Sequence, residues 1–109
     1  MGMSYELFLE PEVHAARREL PGNLRQRMRR LIDSLAEIPR PHESKPLILA
    51  ELVLSTDIEL RRIRIDRWRI VYAINDGERW VWLLALRRRP PYNYQDLPEL
   101  VNRLPQPNE

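Results

Sequence analysis

Three arginines, Arg62, Arg64 and Arg69, lie in the stretch Leu60 to Tyr72, LRRIRIDRWRIVY, where basic and apolar residues alternate with a period of two. That period belongs to a half-buried β-hairpin. With the turn at Asp66 and Arg67, Ile65 falls opposite Trp68 and Arg64 opposite Arg69. Arg62, Arg64, Arg69 and Val71 then share one face, and Ile63, Ile65, Trp68 and Ile70 the other. Guanidiniums gathered on one face repel one another, and their planar forks match the oxygens of a phosphate or a carboxylate. The chemistry to expect is anion binding.

Charge distribution sharpens this. The formal net charge is only +2, yet between Arg61 and Tyr94 nine arginines face three carboxylates. The segments before and after are each mildly acidic. Of 18 basic residues only Lys45 is a lysine, a bias toward bidentate contacts that an arginine-favouring genome also produces. The genome does not explain why the charge is concentrated in one third of the chain. Arg25, Arg27, Arg29 and Arg30, further upstream, read first as a solvated helix face.

Other chemistries find little support. The absence of cysteine excludes disulfides, thiol catalysis and cysteine-ligated zinc, and makes a reducing cytoplasm the natural compartment. The only histidines, His14 and His42, have no ligand-spaced companions, so neither a metal nor another cofactor is expected. No glycine-rich phosphate loop appears. The start, MGMSYELFL, lacks a basic region before its apolar run, and no apolar stretch approaches membrane-spanning length, so no membrane association is expected.

The elements that must position the arginines follow from pattern and punctuation. At 109 residues the chain is expected to be one domain of two packed layers. Tyr5 to Leu9 reads as a first strand, and Pro11 opens a helix that Pro21 and Gly22 end. Asn23 is a candidate N-cap for a second helix, whose stripe Leu24, Met28, Leu31, Ile32, Leu35 and Ile38 stops before Pro39. Arg40 to Pro46 reads as a loop. Leu47 to Leu54 fits a buried strand better than a short helix, though periodicity does not separate the two. Asp76-Gly77 marks a second hairpin, with Arg79 to Arg87 returning as a strand. A two-residue turn there sets Arg69 opposite Leu84 and Val71 opposite Trp82, and adds Trp80, Trp82 and Leu84 to the arginine face. Those tryptophans are a stacking surface or, more often for strand aromatics, packing material under the C-terminal segment. Asp96 and Pro98 introduce a short last helix with Leu97, Leu100, Val101 and Leu104 inward. The fold class is α+β: two N-terminal helices on a mainly antiparallel sheet of four to five strands, then a short C-terminal helix.

This order, with the composite RIDRWRIVYAINDGERWVWLLALRRRPPY, resembles the RelE/ParE superfamily of type II toxin-antitoxin systems, on a microbial RNase-like fold. The resemblance covers most of the chain and is sharpest at W-R-I-V-Y followed by a turn, an apolar strand and an arginine cluster. It implies a small cytoplasmic toxin held inactive by a cognate antitoxin, many relatives cleaving mRNA in the ribosomal A site without a metal. In such nucleases the 2′-hydroxyl attacks the adjacent phosphate while arginines stabilise the charge. Arg69 matches the phosphate-binding arginine, Arg62 and Arg64 the often basic positions before it, and Arg89 the arginine after the last strand, with Arg87 and Arg88 as substitutes. Tyr92 or Tyr94 matches the C-terminal tyrosine. Arg61, Arg67, Arg87 and Arg88 would extend the RNA contact. The chain departs from the pattern in having arginine where some family nucleases have lysine, and a guanidinium is too strongly protonated to serve as a general base. Three readings stay open: a ribosome-dependent mRNA endonuclease, a DNA gyrase inhibitor acting by binding, and an attenuated toxin whose arginine face chiefly holds an acidic antitoxin segment.

Overall fold

In a computed structural model, which describes residues 4–49, 57–88 and 95–105, the chain runs β1 (Glu6–Leu9), α1 (Pro11–Arg18), α2 (Gly22–Ser34), β2 (Ser44–Pro46), β3 (Ile58–Ile65), β4 (Trp68–Asn75), β5 (Trp80–Arg88) and α3 (Leu97–Asn102). The five strands form one sheet in the order β1-β5-β4-β3-β2, with β1 parallel to β5 and every other pairing antiparallel. The α+β class and the helix-sheet-helix order are those the sequence predicts.

Both faces of the sheet are covered. Val13 and Leu20 from the α1 region, with Leu24, Met28, Ile32 and Leu35 of α2, bury against Ile63, Ile65, Ile70, Tyr72, Ile74, Val81, Leu83 and Leu86. On the opposite face Leu97, Leu100, Val101 and Leu104 cover Ile58, Leu60, Val71, Ala73, Trp80, Leu84 and Ala85. The expected two layers therefore become a sheet with a partial third layer. The cause is composition: Val71, Ala73, Leu84 and Ala85 make the arginine face apolar away from the hairpin tip, and that area must also leave water.

Several local expectations change. The α2 N-cap is Pro21 rather than Asn23, and the Pro21 carbonyl accepts the Arg25 amide at 2.7 Å. The helix stops at Ser34, so Ile38, the last member of the predicted stripe, is 58% exposed. Ser44–Pro46, read as loop, is an edge strand paired with Arg61 to Ile63; Pro46 at its end suits an edge. Leu47 to Leu49 are outside any strand, and the rest of the predicted Leu47 to Leu54 strand lies beyond the described residues.

The two hairpins determine where the arginines go. The first has the predicted register, Ile65 opposite Trp68 and Arg64 opposite Arg69, with Asp66 at φ 54° in the tight turn. The second does not. Asn75 pairs with Trp80, so the turn holds four residues, Asp76 to Arg79, instead of two. The Asn75 carboxamide accepts the Glu78 amide at 2.9 Å, and Arg79 adopts φ 61°. A bulge follows: Tyr72 pairs with Leu83 but Val71 pairs with Ala85, leaving Leu84 as an extra residue in β5. Arg69 thus meets Arg87, not Leu84, and Val71 meets Ala85, not Trp82.

Candidate nucleic-acid interface

The bulge has a chemical outcome. Strict alternation through β5 sends Arg87 to the helix-covered face with Val81 and Leu83; one inserted residue reverses the parity beyond it. Leu84 and Ala85 both join the α3 side, Leu86 joins the other core, and Arg87 comes out beside Arg69. Arg64, Arg69 and Arg87 then form a row across three adjacent strands. Directly opposed side chains in such a sheet have Cβ atoms about 4.5–5.5 Å apart. Arg62, opposite Val71, sits diagonally beside the row.

The four arginines of this face differ in setting. Arg64 is exposed, Arg62 half-buried and Arg69 buried. Arg87 is held by two carboxylates from opposite sides of the sheet. Its Nε and Nη2 donate to Glu12 of α1 at 2.9 and 2.6 Å, and Nη1 and Nη2 donate to Asp96, at the start of α3, at 2.9 and 2.6 Å. The Arg87 guanidinium holds the Asp96 carboxyl below its ordinary range. Asp96 occupies the predicted N-cap position but makes no side-chain cap, because its oxygens are engaged by Arg87. Arg87 therefore ties α1, β5 and α3 together through its two carboxylates.

Glu10 makes a second tie, accepting from Trp82 Nε1 at 2.9 Å and from Arg103 Nη1 at 3.1 Å. Trp82 stacks on Phe8 at 4.6 Å and meets Trp80 edge-on at 5.7 Å. Both tryptophans pack in the cluster under α3, which is the packing alternative the sequence left open. Glu10, Glu12 and Asp96 are residues that sequence reasoning missed as partners of this region. Glu12 and Arg87 are 75 positions apart, and no local signal joins them.

The remaining candidate residues lie elsewhere. Arg61 is on the helix-covered side, its guanidinium donating to Ser44 Oγ, the Ser44 carbonyl and Glu59. That arrangement braces the edge strand rather than extending the interface. Arg67 and Arg88 line a recess with Trp68, Pro21 and Leu24 at the hairpin tip. Arg89, Tyr92 and Tyr94 lie outside the described residues. Tyr72, in the W-R-I-V-Y strand, is buried on the opposite face, donates its hydroxyl to the Pro39 carbonyl at 2.7 Å, and has its pKa raised by burial.

The far end of the sheet is closed by another ion network. Arg40 donates to Glu59 at 2.8 Å and to Asp76 at 2.7 Å, and Tyr5 donates to Asp76 at 2.6 Å. These two donors hold the Asp76 carboxyl below its ordinary range, and the same bond to Asp76 raises the Tyr5 pKa. Arg79 lies over the Tyr5 ring at 5.2 Å. Among the described residues no group of three metal-ligating side chains converges, and no helix is long and apolar enough to cross a membrane.

No protein-family model and no curated protein matches the chain. Solved structures do. The chain is similar to the archaeal RelE-RelB complex from Pyrococcus horikoshii, at 25% identity and TM-score 0.69, over 83% of this chain and 100% of that one. It is also similar to the toxin-antitoxin complex RelBE2 from Mycobacterium tuberculosis, at 18% identity and TM-score 0.61, over 79% and 99% of the two chains. The isolated E. coli RelE toxin matches at 20% identity and TM-score 0.56, over 92% and 98%.

Proposed function

Because the chain has a RelE-like toxin fold, we propose that it is the toxin component of a type II toxin-antitoxin system and acts as a metal-independent, ribosome-associated mRNA endonuclease. The observation that carries this reading is the placement of Arg62, Arg64 and Arg69 together on the exposed end of the sheet, in a row completed by Arg87. A phosphodiester on this face meets guanidinium donors from two strands. In the reaction the 2′-oxygen bonds to phosphorus as the bond to the 5′-oxygen breaks, and one proton leaves the nucleophile while another reaches the leaving group. Negative charge builds on the phosphoryl oxygens, where fixed guanidiniums stabilise the transition state more than the ground state. Guanidiniums stay protonated and contribute charge and position only. Tyr92 or Tyr94 assists proton transfer and stacks on a base.

The partner follows from the same face. The matched structures include RelE-RelB and RelBE complexes, and an antitoxin segment carrying carboxylates would be steered onto Arg62, Arg64 and Arg69 and exclude RNA by occupying their donors. The test is purified protein added to ribosomes translating a defined message. Truncated mRNA supports the reading, and intact message alongside growth arrest in cells overturns the nuclease step.

One feature favours a second reading. Among the described residues the arginine face holds no histidine, the usual proton-transfer side chain, which suits a toxin that inhibits by binding, DNA gyrase being the alternative target. A supercoiling assay separates the two: gyrase inhibition with intact mRNA selects binding, and the reverse result selects cleavage.

A further inference from the structure

On the other side of the molecule, α1 and α2 enclose an open cleft of about 450 Å³ lined by His14, Arg17, Arg18, Arg25, Arg29 and Asp33. Five of these six residues are basic types. Arg25 and Arg29 are one helical turn apart, about 5–6 Å between Cβ atoms, on the flank of α2 beside its buried stripe of Leu24, Met28 and Ile32. Arg17 and Arg18 face them from the end of α1. Arg25 is anchored by two bonds to the Leu20 carbonyl, at 3.4 and 3.2 Å. Among the described residues no hydrogen bond or ion pair engages the side chain of Arg17, Arg18 or Arg29. Arginines elsewhere behave differently: Arg40, Arg61, Arg87 and Arg103 all meet carboxylates. Repulsion among the cleft guanidiniums is relieved by a polyanion.

We propose that this cleft is a second binding site, separate from the sheet face, which takes the sugar-phosphate backbone of a folded RNA. The lining selects the ligand. A protein helix docking in a groove needs apolar anchors at its contact points, and here every lining side chain is titratable. Reading unstacked bases needs aromatic platforms, and the lining has none. Rows of guanidiniums on two helices, without apolar or aromatic lining, suit sequence-independent contact to successive phosphates. The choice of RNA as the polymer rests on the function proposed above; the anionic character of the ligand does not. The molecule would hold a structured RNA on its helical side while the sheet face meets the strand to be cut.

The test is binding of the free protein to a labelled RNA hairpin, without ribosomes, across a salt series. In the double variant Arg18→Ala/Arg29→Ala both changed positions are exposed helix residues where alanine is well tolerated; Arg79→Gln, in the hairpin turn at the far end of the sheet, serves as the charge control. The cleft variant is expected to bind hairpins of unrelated sequence uniformly more weakly. The slope of log K against log salt should shrink by about 1.4 to 1.8, which is roughly 0.7–0.9 for each of the two phosphates no longer neutralised, with Arg79→Gln close to wild type. An unchanged slope in the cleft variant overturns the proposal. So does displacement of the hairpin by polyglutamate as effective as by unlabelled RNA, which would assign the cleft to an acidic protein segment. Failure of mRNA cleavage on ribosomes would remove the nuclease reading and leave this result standing, so the two outcomes are distinguishable.

Discussion

Arg69 of β4 stands directly opposite Arg87 of β5, two like charges side by side in the middle of a sheet. Opposed like charges destabilise a strand pair, and the fold offsets this by giving Arg87 two carboxylates, Glu12 and Asp96. One arginine of the pair is thereby a structural clamp.

Arg69→Ala is expected to lower mRNA cleavage by about 10²- to 10³-fold, the range for losing one preorganised donor to a developing anion. Arg69→Lys should recover only part of this, since the charge returns without the fork. Rates of cleavage on programmed ribosomes check it; an Arg69→Ala protein that folds and cuts at the wild-type rate refutes the assignment.

Arg87→Ala should act mainly on stability. It leaves Glu12 and Asp96 without their shared cation, and because these groups are partly exposed the loss is about 1–2 kcal/mol. A urea titration measures it. The variant Glu12→Gln, which spares the sheet, should lose stability in the same direction.

Deleting Leu84 should cost about as much as Leu84→Ala, because both lose the same buried side chain and neither moves the flanking pairs. The truncation leaves the register intact and costs about 2–5 kcal/mol as a core cavity. The deletion also removes the bulge but joins Leu83 to Ala85, so the pairs Tyr72–Leu83 and Val71–Ala85 become consecutive and Arg87 stays opposite Arg69. Thermal melts of the two variants compare them.

Acid should unfold the protein from about pH 4 downward. Asp76 and Asp96 both titrate lower in the folded state than in an unfolded chain. Their contribution is fully present above the ordinary aspartate value of about 3.9 and is lost as the pH falls through the lowered folded values. At the alkaline end Tyr5 and Tyr72 are raised, so their contribution is present below about pH 10 and lost as pH climbs through the folded values. Urea midpoints across pH should show both edges. Tyr72→Phe should weaken the alkaline one while removing a buried hydrogen bond worth about 0.5–1.5 kcal/mol.

Asp66→Gly should leave stability within about 1 kcal/mol of wild type, because the strain relieved at φ 54° is offset by the larger conformational entropy glycine loses on folding. Only an exposed 3.5 Å ion pair with Arg27 is lost. The melting temperature of this variant is the measurement.

By itself the sequence determined the α+β class, the amphipathic α2, the register of the first hairpin, and the gathering of Arg62, Arg64 and Arg69 on one face. All of these rest on periodicity and on turn residues a few positions apart, which act through local backbone geometry. The width of the Asp76 turn and the bulge at Leu84 were beyond it, since an Asp-Gly pair fits more than one hairpin length and an inserted residue leaves no mark in an apolar run. The partners of Arg87 were equally beyond it. Only the tertiary structure brings Glu12 and Asp96, from opposite ends of the chain, to one guanidinium, and so makes Arg87 a residue that holds the fold.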